Sequence, residues 1–258
     1  MKIAIAGATG RMGRTLIEAV LADRELSLAA ALEAADSPAL DTDVAGVTIS
    51  ADIAAAVVAA DVLIDFTRPQ GTLAHLVACA AAAKPIVIGT TGFAEGERAN
   101  IAHAAERIAV VMSPNFAIGV NAVFKLAETA AKILGDAYDV EIVEAHHRHK
   151  VDAPSGTALE LGAIVARALG RDLKAVAVHG REGDTGERPA KAIGFHAIRG
   201  GDIVGEHTLI FAGSGERVEM TVRSQSRMTY ALGALRAAKF LRGRKPGLYG
   251  MEDVLGLK

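Results

Sequence analysis

The chain has 258 residues, of which 51% are hydrophobic and 22% are charged, and its formal net charge is −2. This composition predicts a globular protein with one large or two modest domains, and it excludes a disordered chain and a general affinity for nucleic acid. Because the chain has a single cysteine, Cys79, and no apolar run of the ~20 residues that span a membrane, we expect a cytoplasmic protein without disulfides.

The N-terminal residues predict a dinucleotide-binding unit. A buried strand, residues 1–6, precedes the turn Gly7-Ala8-Thr9-Gly10-Arg11-Met12-Gly13, and a helical stretch, residues 15–23, follows. In such a fingerprint the glycines allow a tight turn and let a pyrophosphate approach the helix N-terminus. A glycine-rich turn without a ligand is the alternative.

A second predicted strand, residues 26–32, ends at Glu33, about 20 residues beyond the last glycine, where a ribose-binding carboxylate is expected. Glu33 favours NAD(H), because a carboxylate repels the 2'-phosphate of NADP(H). Ala34 offers no compensating cation, although Arg11 lies close enough in the sequence to moderate this preference.

Further strands alternate with alanine-rich helical stretches, which predicts a doubly wound parallel sheet of the Rossmann type. These strands are residues 47–49, 61–66, 85–89 and 108–112. Ligands bind beyond the carboxyl ends of such strands, so the segments that follow are candidate cofactor contacts, although each is also explained by turn chemistry. The segments are Phe66-Thr67-Arg68-Pro69, Gly89-Thr90-Thr91-Gly92 and Ser113-Pro114-Asn115-Phe116.

The pattern changes after Phe116 and predicts a second, α+β domain for substrate binding and oligomerisation, with a mostly antiparallel sheet. We place the dinucleotide-binding domain at residues 1–116 and the second domain at 117–227, and we expect the helical C-terminal segment, 228–258, to pack back on the first domain. The predicted elements are a helix at 117–134, strands at 140–144, 174–179, 193–198, 204–212 and 217–224 with a turn at 213–216, and helices at 158–169 and 228–241.

The densest chemistry lies in this second domain, where His146-His147-Arg148-His149-Lys150 joins a predicted strand to a predicted helix. His146 and Lys150 can face one ligand whether the run is extended or helical. Histidine and lysine are proton carriers whose pKa values burial and neighbouring cations bring toward neutrality, which suits general acid catalysis.

Pro154-Ser155-Gly156-Thr157 follows as a helix opening whose backbone N–H groups can hold a carboxylate or phosphate. Other interpretations remain open for this region. Thr157 also fits a capping box with Glu160, the basic run also fits a solvated loop, and His146, His147 and His149 are possible metal ligands, although neighbouring histidines rarely converge.

The stretch from Glu144 to Ala158, Glu-Ala-His-His-Arg-His-Lys-Val-Asp-Ala-Pro-Ser-Gly-Thr-Ala, resembles the signature of the 4-hydroxy-tetrahydrodipicolinate reductases, formerly called dihydrodipicolinate reductases. The similarity extends over essentially the whole chain. It includes Gly7 to Gly13, Asp65 to Pro69, Gly89 to Phe93, Arg181 to Gly183, Thr185 to Arg188 and Gly201 to His207.

The resemblance implies a Rossmann domain, a tetramerising substrate domain, and reduction of 4-hydroxy-tetrahydrodipicolinate by NADH or NADPH in lysine and diaminopimelate biosynthesis. It implies that His146 and Lys150 transfer protons, that His147, Ser155, Gly156 and Thr157 bind the substrate, and that no metal is needed. It places the cofactor on Gly7 to Gly13, Glu33, Phe66, Thr67, Gly89 to Thr91 and Ser113 to Phe116. Some family members have arginine where this chain has Ala34, which favours NADH here.

Two other functions remain open from the sequence alone. One is a Rossmann-type reductase that acts on a different small oxoacid or imine. The other is a non-catalytic NAD(H)-binding regulator, which the His/Lys run argues against because a sensor needs no proton donors.

Overall fold

The computed structural model describes residues 1–257, which form two compact units: residues 1–118 with 227–257, and residues 119–226. Within the described residues, no helix has both the length and the apolar character that crossing a membrane requires. Cofactor binding by the first domain and substrate binding by the second stay predictions.

The first unit is built on an eight-stranded sheet with the order β13-β7-β6-β5-β1-β2-β4-β3. All neighbouring strands are parallel except β3 and β4. The strands are β1 (Lys2–Ala6), β2 (Ser27–Leu32), β3 (Asp43–Val44), β4 (Val47–Ser50), β5 (Val62–Asp65), β6 (Ile86–Ile88), β7 (Ala109–Met112) and β13 (Gly247–Tyr249). The predicted doubly wound Rossmann-type sheet is confirmed.

Helices cover both faces of this sheet, which explains its nearly continuous apolar strands. In β1, Ile3 and Ile5 belong to one apolar cluster, and Ala4 and Ala6 belong to the other cluster across the sheet. Cys79 is fully buried in the second cluster, as predicted. The helices are α1 (Arg11–Ala22), α2 (Ile53–Ala59), α3 (Pro69–Ala81), α4 (Glu95–Ala105), α8 (Met228–Phe240) and α9 (Met251–Leu255).

The strand order reverses at β1, because β2 pairs with one side of β1 and β5 pairs with the other. Such a reversal opens a crevice beyond the carboxyl ends of the strands, where ligands of these folds bind. The glycine-rich turn follows β1 and Thr67 follows β5, so both lie at this crevice. A Cβ added to Gly7 would lie 3.0 Å from Cγ2 of Thr67, which shows how closely the two turns approach.

The C-terminal segment of this unit, residues 228–258, is expected to be helical, and the helix predicted at 228–241 is confirmed as α8. The residues after α8 do not continue it as one helix. Helix α8 packs on α1 and ends at Phe240, the chain then adds β13 to the edge of the sheet beside β7, and α9 follows. The prediction was wrong beyond α8, because a three-residue strand is too short to show a period. Gly233 lies so close to the chain after β7 that an added Cβ would be 1.8 Å from the carbonyl oxygen of Phe116.

The second unit carries a five-stranded sheet with the order β12-β11-β8-β10-β9. Its strands are β8 (Asp139–His146), β9 (Ala177–His179), β10 (Ile193–Arg199), β11 (Gly205–Ala212) and β12 (Arg217–Ser224). Its helices are α5 (Ile118–Leu134), which starts one residue before the unit, α6 (Gly156–Ala168) and α7 (Leu173–Val176), with a 3-10 turn at Gly135–Ala137.

The prediction of a mostly antiparallel sheet was wrong. β11 is antiparallel to β8 and β12, but β10 is parallel to both β8 and β9. The reason is that α6 and α7 carry the chain across the sheet from β8 to β9, and such a crossover produces parallel strands. Residues 180–192 then return the chain to β10 in the same direction. The predicted hairpin turn at 213–216 is confirmed by the hydrogen bond from the Gly213 amide to the Glu216 carbonyl, 3.0 Å.

Two predicted boundaries in this unit also need correction. Residues 174–176 were expected to be strand, but they belong to α7, which begins after Asp172 because that carboxylate caps the Lys174 amide. The strand expected at 140–144 extends to His146. The first histidine of the basic run therefore lies on a rigid strand rather than in a loop.

The contact between Gly233 and Phe116 predicts a stability effect. Gly233→Ala should lower the free energy of unfolding by roughly 1–3 kcal/mol, because the added methyl has no space beside the Phe116 carbonyl. Gly96→Ala in α4 is the control, since no atom lies within 4 Å of the added carbon. Urea unfolding followed by circular dichroism measures both, and equal stability of the two variants would show that α8 is not held by this contact.

Candidate functional site

The glycine-rich turn of the first unit has the geometry that an incoming phosphate needs. Gly7 adopts a left-handed φ of +69°, and a Cβ on Gly13 would lie 2.0 Å from the Gly7 carbonyl oxygen. Helix α1 can approach the turn only because residue 13 lacks a side chain. Gly10 is the N-cap of α1 and no side chain caps the helix, so the first-turn amides point toward the crevice without a capping group.

Glu33 lies directly after β2 at the same edge of the sheet, where the sequence predicts it. Its Oε1 accepts hydrogen bonds from the Thr9 amide, 2.7 Å, and from Thr9 Oγ1, 2.6 Å. The carboxylate is therefore tied to the glycine-rich turn. Ala34 is exposed and contributes no charge.

The other predicted cofactor segments follow β5, β6 and β7 and are linked to one another. The Gly89 amide donates to the Asp65 carbonyl, 2.8 Å, and a Cβ on Gly89 would lie 2.1 Å from the Phe66 ring. The Phe66 ring also contacts the Phe116 ring, with centroids 5.4 Å apart. Residues 66–67, 89–91 and 113–116 thus line a continuous edge of the first unit.

In the second unit, the candidate acid–base site is organised by the buried carboxylate of Glu144. Its Oε2 lies 2.6 Å from Nδ1 of His146, and Arg199 at the end of β10 donates to both carboxylate oxygens, at 2.8 and 2.7 Å. The Ser155 amide, immediately before α6, donates to Oε1 at 3.1 Å. One carboxylate therefore joins β8, β10 and the start of α6.

The basic loop, residues 147–150, follows β8 and is closed by a turn in which the Lys150 amide donates to the His147 carbonyl, 3.1 Å. Lys150 Nζ pairs with Oδ1 of Asp152 at 2.9 Å. The positive charge of Lys150 is close enough to His146 to oppose protonation of the imidazole. That His146 and Lys150 face one ligand stays a prediction.

Burial decides the protonation states in this cluster. Burial raises the pKa of the Glu144 carboxyl, but hydrogen bonds from Arg199 and His146 outweigh it and hold that pKa below its usual value. Burial lowers the pKa of His146 despite the neighbouring carboxylate. His146 is therefore a neutral imidazole near pH 7. Because Glu144 accepts a hydrogen bond, the ring proton lies on Nδ1 and Nε2 is free to accept one.

His207, on β11, completes the cluster. Its Nε2 lies 2.9 Å from Ser155 Oγ, and its ring meets the His146 ring edge-on with centroids 5.2 Å apart. Burial lowers the pKa of His207 to about 4, and the nearby cationic groups add to the effect. This histidine is a neutral structural partner of the helix opening.

The opening of α6 differs from one interpretation of the sequence. Thr157 was considered as the cap, but Ser155 is the N-cap and its Oγ accepts from the Ala158 amide, 3.3 Å. Thr157 instead lies in the first turn. Gly156 is the first helical residue, and no atom lies within 4 Å of the position that a Cβ would occupy there. The helix N-terminus is therefore open to an anion.

The remaining histidines of the basic loop are placed differently from His146. Nδ1 of His147 is buried and has no hydrogen-bond partner in the described chain, and its ring centroid lies 6.2 Å from that of His149. Across residues 1–257, no three His, Cys, Asp or Glu side chains are grouped so that they could hold a metal ion.

Sequence reasoning gave no role to Glu144, Arg199, His207 or the buried pair Asp65–His75. Arg199 meets Glu144 from 55 positions away along the chain, and His207 meets Ser155 from 52. No periodicity signals such contacts. The available signal was chemical, because an acidic residue needs a partner once it is buried.

A doubly wound parallel sheet with a glycine-rich turn, together with a separate unit that carries a histidine–lysine cluster, is the organisation expected of a nicotinamide-dependent oxidoreductase. Comparison with known proteins supports that class. The chain belongs to the dihydrodipicolinate reductase family: the model of the family's N-terminal part matches residues 1–116 and that of its C-terminal part matches residues 119–255. It is an NAD(P)H-dependent reductase of 4-hydroxy-tetrahydrodipicolinate, in lysine and diaminopimelate biosynthesis.

Individual relatives are similar over their full length. The 4-hydroxy-tetrahydrodipicolinate reductase of Thiobacillus denitrificans is 60% identical, over 100% of this chain and 99% of that relative. The 4-hydroxy-tetrahydrodipicolinate reductase of Aromatoleum aromaticum is 58% identical, over 100% of this chain and 96% of that relative. A dipicolinate-bound dihydrodipicolinate reductase from Paenisporosarcina sp. TG-14 has a TM-score of 0.81 at 27% identity, covering 98% of both chains. These findings confirm the predicted reduction of 4-hydroxy-tetrahydrodipicolinate and do not support either of the two alternative functions.

The buried state of His207 predicts a pH dependence of stability. Its pKa is about 4 in the folded chain and 6.5 in an ordinary environment, so the unfolded chain takes up the proton first as the pH falls. The stabilisation is complete above pH 6.5 and is lost toward pH 4, a difference of roughly 3 kcal/mol.

His207→Gln retains a polar group toward Ser155 but cannot titrate. Between pH 7 and pH 4 the free energy of unfolding of the unmodified chain should therefore fall more steeply than that of the variant. Denaturant unfolding at several pH values measures this difference. Parallel stability curves would mean that His207 does not carry the dependence.

Proposed function

We propose that the basic loop and the opening of α6 bind the dicarboxylate substrate, with Lys150 as the proton donor and His146 as its neutral partner. The observation that carries this proposal is the Glu144–His146 contact of 2.6 Å in a buried setting that lowers the pKa of His146. A neutral imidazole that donates through Nδ1 has no proton to give from Nε2. Lys150 is then the cationic donor of the pair.

The proton has a defined purpose in this reaction. When bound, the nicotinamide cofactor would supply a hydride to an electrophilic ring carbon of the substrate, and negative charge would develop elsewhere in the conjugated system. A proton from Lys150 Nζ neutralises that charge. The Nε2 atom of His146 can then take up a proton from solvent and pass it to the neutral Lys150 amine, while Glu144 stabilises the transiently positive ring. This returns Lys150 to the cation and His146 to the neutral imidazole.

The substrate carboxylates are assigned to the amides of Gly156 and Thr157, with Ser155 and His147 beside them. The open first turn of α6 offers N–H donors and the positive end of the helix dipole. Nδ1 of His147 is buried without a partner in the described residues, which suits a group that a ligand satisfies. The Paenisporosarcina relative is described with dipicolinate bound, a planar dicarboxylate of the chemistry proposed here.

The cofactor is assigned to the first unit. We assign the pyrophosphate to Gly7 to Gly13 at the start of α1, and a ribose to Glu33. Residues 66–67, 89–91 and 113–116 form the remaining edge of the proposed site. The left-handed Gly7 and the uncapped start of α1 are the features that fit a dinucleotide.

Within the family's use of NAD(P)H, we propose that this chain prefers NADH. The Glu33 carboxylate accepts from ribose hydroxyls but repels a 2'-phosphate. The next two residues, Ala34 and Ala35, are exposed and uncharged, and Asp36 adds a further exposed carboxylate. Arg11, exposed at the first position of α1, is the cation of the glycine-rich motif that would reduce the repulsion of a 2'-phosphate.

We also propose a cytoplasmic homotetramer assembled through the second unit. One face of its sheet packs on the apolar cluster, and the other carries side chains such as Glu141, His196 and Ile198. Burial raises the pKa of Glu141, but Arg181, Arg188 and His196 outweigh it and lower that pKa to about 2. A sheet face with paired charges and an exposed isoleucine suits contact with another copy of the chain.

The proposed proton donor is tested by turnover measurements. Substrate is generated in situ from pyruvate and aspartate semialdehyde by the synthase, and oxidation of NADH is followed by absorbance. Lys150→Met should lower kcat by roughly 10²-fold or more with nearly unchanged NADH affinity.

Pyridine-2,6-dicarboxylate should compete with the substrate in the unmodified enzyme.

Lys150→Arg is the matched control, because it keeps the positive charge but does not release a proton near neutral pH. It should lose turnover like Lys150→Met while retaining more of the substrate affinity. Full turnover by Lys150→Arg would show that the site needs only a cation. Oxidation that does not depend on the synthase would contradict the substrate assignment.

The ribose assignment predicts a cofactor-selective effect. Glu33→Ala should weaken NADH binding by roughly tenfold, about 1.4 kcal/mol, and should weaken NADPH binding less, because the repulsion of the 2'-phosphate disappears. Calorimetric titration with both cofactors measures the ratio of dissociation constants. An equal loss for the two cofactors would remove Glu33 from the ribose site.

A further inference from the structure

The proposed cofactor edge of the first unit rests on a buried polar network that neither the family comparison nor the motif assigns. Asp65, the last residue of β5, is 0% exposed. Its Oδ2 lies 2.7 Å from Nδ1 of His75, in the second turn of α3, and this pair is the only ion pair of either residue within the described chain. A carboxylate in such a position is tolerated only when its acceptors are satisfied.

The second oxygen of Asp65 holds the turn that follows β5. Oδ1 accepts from the Thr67 amide at 2.8 Å and from Thr67 Oγ1 at 2.6 Å. Thr67 is one of the proposed cofactor contacts, and its Cγ2 is the atom that the glycine-rich turn approaches at Gly7. The carboxylate therefore fixes the conformation of a turn at the reversal point of the sheet.

The same network reaches the turn after β6. Thr72, fully buried in the first turn of α3, donates from Oγ1 to Oγ1 of Thr90 at 2.8 Å. Because Thr90 Oγ1 accepts that hydrogen bond, its own hydroxyl can donate to Asp65, whose Oδ1 is 3.5 Å away. Thr72 and Asp65 thus define the orientation of the Thr90 hydroxyl.

We propose that Asp65 and His75, together with Thr72, are positioning residues for nicotinamide dinucleotide binding: they act through Thr67 and Thr90 and do not touch the cofactor themselves. The inference rests on the proposed cofactor site. His75 holds one carboxylate oxygen so that the other stays directed at Thr67. Without that hydrogen bond, Asp65 is an undercompensated buried charge, and the two turns lose their shared anchor.

The pair can be distinguished from a purely structural contact by hydrogen-bond rescue. His75→Asn keeps an N–H donor near the position of Nδ1, whereas His75→Leu has similar bulk and no donor. We expect the dissociation constant for NADH to rise about tenfold in His75→Leu and to stay within about threefold of the unmodified value in His75→Asn. Val77→Ala, on the exposed side of the same helix, should leave it unchanged.

Steady-state kinetics of the full chain supply the readout that a structural role would not move. The KM for NADH should rise in His75→Leu, while the KM for the dicarboxylate substrate and the kcat at saturating NADH stay close to the unmodified values. Equal impairment of His75→Leu and His75→Asn, or a parallel rise of both KM values, would overturn the proposal.

If His75→Leu does not fold, Thr72→Val decides the question, because it removes the hydroxyl that donates to Thr90 and keeps the shape of the side chain. It should also raise the KM for NADH selectively, with Thr72→Ser close to the unmodified enzyme. Unchanged NADH binding in Thr72→Val would then overturn the proposal. If the unmodified chain and Glu33→Ala bind NADH with equal affinity, that result contradicts the proposed cofactor site and not the positioning role of this network.

Discussion

The carboxylate of Glu144 accepts hydrogen bonds from its own strand, from the neighbouring strand β10 and from the residue that caps α6, so that separate segments of the second unit meet at one buried charge. Burying that charge is costly, and the cost is offset because each oxygen is hydrogen-bonded and Arg199 binds both. The arrangement orients the His146 ring, selects its tautomer and places the open start of α6 beside the basic loop. The proposed acid–base chemistry of the site therefore depends on a residue that need not meet the substrate.

Close contacts at glycines bring the elements of the first unit together. Gly13 lets α1 approach the turn after β1, Gly89 makes room for the Phe66 ring, and Gly233 lets α8 lie against the chain after β7. Each of these positions would place a Cβ within about 2 Å of another atom. Such contacts bring the turns at the carboxyl ends of the strands into a narrow edge, where a long, thin ligand such as a dinucleotide can be held by backbone amides.

Membership of the dihydrodipicolinate reductase family establishes the reaction, and the geometry supports the proposed roles of the chain's residues. In the proposed mechanism, a neutral imidazole beside a lysine separates proton acceptance from proton donation, because burial lowers the pKa of His146. The paired charges around Glu141 hold residues 181–188 on the sheet of the second unit. In both units, a buried carboxylate is fixed by a histidine and further donors, Glu144 by His146 and Asp65 by His75.

The sequence by itself determined the features that repeat over short windows or lie next to one another in the chain. The alternation of apolar strands with helices, the glycine-rich turn, Glu33 after the second strand and the run from His146 to Lys150 were all predictable, because each expresses a local period or a local motif. The full-length resemblance added the reaction. Boundaries shifted by a few residues where caps such as Ser155 and Asp172 decide the first helical turn.

Only the tertiary structure decided the contacts between distant parts of the chain. The parallel pairing of β10 with both β8 and β9, and the addition of β13 to the sheet edge, depend on crossover paths that no window of sequence records. For the same reason Arg199 and His207 could not be assigned to the site from the sequence. Their partners were determined by which strands became neighbours and by the need of a buried carboxylate for donors, and both conditions arise only when the chain is folded.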